Sequence, residues 1–142
     1  MDKVLKSSKT NEHYTPTKVV NHVIEFYNGV IDLDPCSNSV DNPNVPAEFH
    51  YAVELDGLQL PWAGKVFVNP PYGRELNKWV NKTVYEYESG RAREILLLVP
   101  SRTDTQWFTS LNPYPRVYLV GRLKQDYFRE LLIPRCCYIL SR

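Results

Sequence analysis

The chain has 142 residues, 43% hydrophobic and 23% charged, with a net charge of +1 and three cysteines. That balance fits one globular domain and excludes a disordered chain. It holds no apolar run of about 18 residues for a membrane helix, no secretory signal in its polar start at Lys3, Lys6, Ser7, Ser8 and Lys9, and neither a disulfide framework nor a zinc spacing in Cys36, Cys136 and Cys137. The chain therefore reads as cytosolic and reduced.

In chain order, residues 1–12 are polar and read as a loose tail, followed by a single domain over 13–142. Thr15-Pro16 predicts a helix start, with Thr15 as N-cap and Pro16 at the first helical position. Val19, Val20, Val23, Ile24 and Tyr27 follow at helical spacing, and Gly29 supplies the stop. Val30 to Leu33 is a short buried strand running into Asp34-Pro35. Residues 35–48 hold three prolines and four Asn/Asp and read as irregular chain. Phe49 to Val53 suits a short strand, Asp56-Gly57 a turn, and Lys65 to Val68 a second buried strand.

Leu76, Trp79, Val80, Thr83, Val84 and Tyr87 share one helical face, closed by Gly90. Ile95 to Val99 is an unbroken aliphatic run, the pattern of a central parallel strand covered on both faces. Trp107, Phe108 and Leu111 suit a short helix, with Trp107 and Phe108 in the core. Val117 to Val120 and Cys137 to Leu140 complete the strands. The alternation predicts an α/β fold with a mainly parallel sheet. Its ligand site then lies beyond the carboxyl ends of the strands. Polar clusters stand there: Asp32 to Pro35, Asn69 to Tyr72 and Pro100 to Thr105.

Six glycines stand against eleven prolines, and no two glycines are spaced G-x-G. This excludes the dinucleotide fingerprint and the Walker loop, which bring backbone amides up to phosphate. Charge is divided unevenly. Residues 1–64 carry 4 Lys/Arg against 9 Asp/Glu, and residues 65–142 carry 13 against 7. A basic second half is compatible with nucleic acid, and equally with lysines and arginines that solvate helix faces. Arg74, Arg102 and Arg122 are the candidate nucleic-acid contacts, the alternative for Arg102 being a salt bridge to Asp104.

The most informative feature is Asn69-Pro70-Pro71-Tyr72 directly after a buried strand. The exocyclic amino group of a base is a poor nucleophile, because its lone pair is delocalised into the ring. The Asn69 side-chain oxygen and the Pro70 carbonyl can each accept one amino hydrogen. Proline restricts the residue before it and fixes its own φ, so both acceptors are held in place. Tyr72 offers a flat face for the target ring, and a base in a duplex must flip out to reach it. Positive charge builds on the amino nitrogen, and preset oxygen dipoles stabilise it. The motif asks for no metal and no covalent intermediate. The competing structural reading is a proline-stiffened strand-to-helix turn with Tyr72 in the core.

With these pieces assembled, the chain resembles the phage and prophage type of DNA N6-adenine methyltransferase over about residues 13–124. The matching pieces are Thr15-Pro16, Asp34, Asp56-Gly57-Leu58 with Trp62, Asn69 to Tyr72, Trp79, Pro100 to Phe108 and Gly121-Arg122-Leu123. The resemblance implies the compact Rossmann-like methyltransferase form of the α/β fold, with S-adenosylmethionine as methyl donor and DNA as substrate. It implies that Thr15 and Pro16 border the cofactor, that Asp34 with Pro35 sits near its methionine end, and that Asp56 meets its adenine amino group. Asn69, Pro70, Pro71 and Tyr72 would hold the target base. The turn after the first strand has no glycine, and only 34 residues separate Asp34 from Asn69, so elements of larger enzymes are expected to be missing.

Other readings stay open beside this one. Asp34 could simply cap its loop. Cys36 after Pro35 is expected to be a small packed thiol, not a nucleophile. His22 and His50 read as structural or surface residues. The same motif also serves methylation of RNA bases and of protein glutamine, and a shrunken fold could bind DNA or a partner without turnover. No segment is large enough for a separate recognition domain, so loose site specificity or assembly as a homo-oligomer is expected.

Overall fold

The computed structural model describes residues 15–39, 41–71, 73–99, 105–118 and 137–141, the last segment and residues 117–118 as backbone. The elements are α1 (Thr17–Phe26), β1 (Ile31–Asp34), β2 (Ala47–His50), β3 (Gly64–Val68), α2 (Leu76–Glu88), β4 (Ala92–Val99), α3 (Gln106–Thr109), β5 (Arg116–Tyr118) and β6 (Cys137–Ser141). Six strands form one sheet in the order β2-β1-β3-β4-β6-β5. Every neighbouring pair is parallel. This is the parallel α/β arrangement that the alternation of elements predicts, consistent with the Rossmann-like methyltransferase form that the resemblance implies.

The unbroken aliphatic runs follow from burial on both faces of the sheet. Val66, Val68, Ile95, Leu97 and Val99 point to one side, where Leu76, Trp79 and Val80 of α2 cover them together with Phe108 and Leu111. Phe67, Leu96 and Leu98 point to the other, against Val19, Val20 and Val23 of α1 and Tyr27 just after it. Alternation along each strand thus feeds two cores from one sequence run. The Tyr27 hydroxyl donates to the Val66 carbonyl at 2.8 Å, which ties the end of α1 to β3.

Two sequence expectations change. The N-cap of α1 is Pro16, not Thr15, and no side chain caps the helix. The Thr15 hydroxyl is turned to Asn69 instead. The strand after the irregular loop is Ala47–His50, earlier than the expected Phe49 to Val53. It is paired to β1 through Leu33 with Phe49 and Asp34 with His50. Past these pairs the contact continues irregularly: the Tyr51 N–H donates to the Asp34 carbonyl at 3.0 Å, and the Ser37 N–H donates to the Tyr51 carbonyl at 3.1 Å. His50 serves locally: its Nε2 lies 2.7 Å from the Val45 carbonyl.

β1 sits between β2, which follows it in sequence, and β3, reached by crossing back over it. The chain therefore reverses direction across the sheet between β1 and β3. A crevice opens beyond their carboxyl ends at such a reversal. Asp34 ends β1 there, and Asn69 follows β3 there.

Candidate active site

A cleft of about 480 Å³ opens at this end of the sheet, within the roughly 300–1,000 Å³ usual for small-molecule sites. Pro35, Cys36 and Ser37 after β1 form one wall, and Tyr51, Ala52 and Val53 after β2 form another. Asp56 and Gly57 close it, with Pro71 after β3 and Arg74, Glu75 and Trp79 at the start of α2 opposite.

The wall at Asp56-Gly57 is built from residues scattered along the sequence. Asp56 takes a left-handed conformation, φ 51°, and its Oδ1 accepts from the Leu58 N–H at 3.2 Å, a turn that aspartate favours. The Gly57 carbonyl accepts from Trp62 Nε1 at 2.9 Å. Trp62 stacks on Trp79 with ring centroids 6.3 Å apart. Trp79 Nε1 is the one buried side-chain polar atom without a hydrogen-bond partner among the described residues. Asp-Gly-Leu, Trp62 and Trp79 are thus one packed unit.

Beneath it lies a charged anchor. Glu86 of α2 is fully buried. Its Oε1 accepts from the Trp62 backbone N–H at 3.0 Å and from Arg91 Nε at 3.1 Å. Its Oε2 accepts from Arg91 Nη2 at 2.6 Å and Lys82 Nζ at 3.1 Å. Burial pushes the carboxyl pKa up, but these hydrogen bonds outweigh it and hold Glu86 below the usual carboxylate range. The sequence alone shows Glu86 only as a polar residue on α2; its role is visible once Trp62 and Arg91 stand beside it.

Asp34 is 2% exposed. Desolvation raises its pKa to about 7, and the hydrogen bond from the Cys36 N–H at 3.2 Å only partly offsets this. It is an acid poised to ionise when a positive group approaches. Cys36 is buried, and burial with the neighbouring Asp34 charge pushes its thiol well up, as befits a packed thiol.

Asn69, buried at 4% exposure, is joined to Thr15, buried at 2%. Asn69 Nδ2 donates to Thr15 Oγ1 at 3.0 Å. Asn44 grips the same threonine: Thr15 N donates to Asn44 Oδ1 at 2.7 Å, and Asn44 Nδ2 donates to the Thr15 carbonyl at 3.0 Å. The sequence offered Asn44 only as one of several loop asparagines.

The structure thus brings Pro35, Asp56, Pro71 and Arg74 to one cleft, sets Asp34 next to Pro35, and pairs Thr15 with Asn69. Pro70 is buried beside Asn69, and Pro16 is exposed at the head of α1. Arg74 stands at the cleft with Glu75. Tyr72, Arg102 and Arg122, with the stretch from Pro100 to Asp104 and the tail 1–12, lie outside the described residues. No described helix is long and apolar enough to cross a membrane.

No curated protein and no solved structure matches the chain. The family model described as DNA N-6-adenine-methyltransferase (Dam) matches residues 3–125, most of its length. A parallel sheet with its cleft at the β1/β3 reversal agrees with this match, and the chain belongs to the DNA N-6-adenine-methyltransferase (Dam) family.

Proposed function

We propose that this DNA N6-adenine methyltransferase uses S-adenosylmethionine as donor and holds a flipped adenine at Asn69-Pro70-Pro71-Tyr72. The observation that carries the reading is the placement of Asn69 directly after β3 at the reversal point, with Pro71 two residues on lining the cleft. The family match makes adenine the target base.

The residues present fit the cofactor. Asp34 is a buried carboxyl with one backbone donor and a raised pKa, so a cationic group beside it recovers the ionised form. Cys36, Ser37, Asp56 and Gly57 line a cleft without a phosphate-binding loop, which suits a nucleoside donor that has no phosphate. Asp34 and Pro35 hold the methionine end, Asp56 takes the adenine amino group, and Thr15 and Pro16 border the donor. The cofactor supplies an electrophilic methyl carbon on a sulfonium.

The chain does the rest by position and charge. Asn69 Oδ1 and the Pro70 carbonyl accept the two N6 hydrogens and turn the nitrogen lone pair toward the donor. Positive charge that grows on N6 meets two fixed oxygen dipoles. Tyr72 stacks on the base, and pulling the base from the duplex costs a few kcal/mol. Arg74, Arg102 and Arg122 meet the DNA. Specificity is short or loose, or arises in a homo-oligomer, and methylome sequencing in a methylation-free host reads it directly.

Incubation with tritiated S-adenosylmethionine and adenine-containing DNA tests the reading. Label should appear in N6-methyladenine after digestion, and Asn69→Ala should abolish it. Label in RNA or in protein glutamine with DNA unlabelled sinks the DNA assignment. Calorimetry that detects no cofactor binding at millimolar concentration identifies a non-catalytic binder.

A further inference from the structure

Asn69 carries a side-chain amide, and an amide has two unlike ends. In the reactive orientation its oxygen must face the amino group of the target base, which offers only hydrogens. The NH₂ end must then face inward. That end is buried, and a buried N–H without an acceptor costs the full desolvation of the group. The inward acceptor is Thr15 Oγ1, 3.0 Å from Asn69 Nδ2.

Thr15 is not free to drift from that position. Asn44 holds its backbone N–H and its carbonyl together, at 2.7 and 3.0 Å. The Asn44 N–H in turn donates to Asn38 Oδ1 at 2.8 Å, and Asn38 Nδ2 donates to the Asn42 carbonyl at 3.2 Å. The irregular loop between β1 and β2 thus reaches Asn69 through one continuous set of hydrogen bonds. Donation from Nδ2 also polarises the amide and strengthens its oxygen as an acceptor. This explains why the Thr15 side chain does not cap α1, although it precedes Pro16 in the usual order for a cap.

We propose that Thr15 is a positioning residue for methyl transfer: held by Asn44, its hydroxyl accepts from Asn69 Nδ2 and keeps Asn69 Oδ1 turned to the target amino group. The inference rests on the reading that Asn69 receives that amino group. It assigns a task to the loop asparagines 38 and 44, which the proposed mechanism leaves idle.

The test compares Thr15→Val, which keeps the shape and removes the acceptor, with Thr15→Ser, which keeps the hydroxyl. At saturating S-adenosylmethionine and DNA, kcat of Thr15→Val should fall roughly tenfold or more, the loss expected for one buried N–H left without a partner. Thr15→Ser should stay within about threefold of wild type, and Asn44→Ala should fall between the two. In ¹⁵N NMR of the protein alone, the Asn69 side-chain amide should exchange slowly in wild type and Thr15→Ser, and lose that protection in folded Thr15→Val.

The inference is overturned if kcat of Thr15→Val stays within about twofold, if its loss is confined to KM for S-adenosylmethionine, or if the Asn69 amide is equally protected in all three proteins. Wild type without methyl transfer to DNA, by contrast, defeats the reading of Asn69 itself; the NMR comparison still decides whether Thr15 holds the amide.

Discussion

The carbonyl oxygen of Pro35 occupies the space that a side chain on Gly57 would need. A Cβ on Gly57 would collide with that oxygen and stand 3.1 Å from Trp79 Cη2. The loop after β1 and the turn after β2 therefore touch backbone to backbone, an approach that residue 57 permits because it has no side chain.

Gly57→Ala follows from that contact. The obstacle is backbone and an indole in the core, so neither can swing aside. Overpacking of this kind costs roughly 1–3 kcal/mol. Urea unfolding should show this loss, and, on the proposed placement of the donor against Pro35, Asp56 and Gly57, calorimetry should show weaker binding of S-adenosylmethionine. Wild-type stability and affinity in Gly57→Ala would show that the two loops are not held in contact in solution.

Glu86→Ala should be among the most damaging single changes outside the cleft. It strips the acceptor from the Trp62 N–H and leaves Arg91 and Lys82 without their shared carboxylate. The buried Trp62 N–H left without an acceptor costs about 1–3 kcal/mol, while Arg91, whose side chain is half exposed, turns to water. Glu86→Gln keeps an acceptor and should lose less. The pKa of Glu86 is lowered in the fold, so its stabilising contribution is present above the ordinary carboxylate range and is lost as pH falls. Acid unfolding of Glu86→Gln should accordingly be shallower than that of wild type.

Asp34 has the opposite sign. Its pKa rises from 3.8 to about 7 on folding, so the folded protein holds a proton that the unfolded chain releases. The stabilising contribution is complete below pH 3.8 and disappears as pH rises through about 7, a difference of at most about 4 kcal/mol. Asp34→Asn should remove this dependence, so that the variant gains on wild type between pH 4 and pH 8, as thermal unfolding across that window will show. On the proposed role of Asp34, binding of S-adenosylmethionine should strengthen in wild type over the same rise in pH and stay flat in Asp34→Asn.

Tyr27→Phe isolates one bond between α1 and the sheet. Its hydroxyl donates to the Val66 carbonyl from a fully packed position. The expected loss is about 1 kcal/mol, near the net worth of a buried hydrogen bond. Urea unfolding measures it, and an unchanged midpoint would mean that water replaces the tyrosine.

Much of the fold was legible because burial writes a simple pattern. Ile95 to Val99 must be covered on both faces, and Leu76, Trp79, Val80 and Thr83 on one; the structure assigns those residues to the sheet and to one side of α2. The edge was harder to read. Among the described residues β2 pairs only with β1, and Phe49 is 66% exposed, so apolar pattern alone placed the strand too late. The position of β6 between β4 and β5 is likewise a matter of long-range pairing, which no local run of residues records.

Asn-Pro-Pro-Tyr after a buried strand, an acid at the end of β1 and the lack of a G-x-G loop could be read from the chain alone, because each depends on neighbours in sequence. Thr15 shows the limit of that reading. Next to Pro16 it has the local signature of a helix cap, yet its partner is Asn69, 54 residues away, with Asn44 holding it from the loop between β1 and β2. Glu86 and Trp62 found each other in the same way. Local sequence states which backbone conformations and faces are favourable. The choice of partner for a buried polar group is made only when the sheet brings distant segments together, because its hydrogen bond must then be made there or lost.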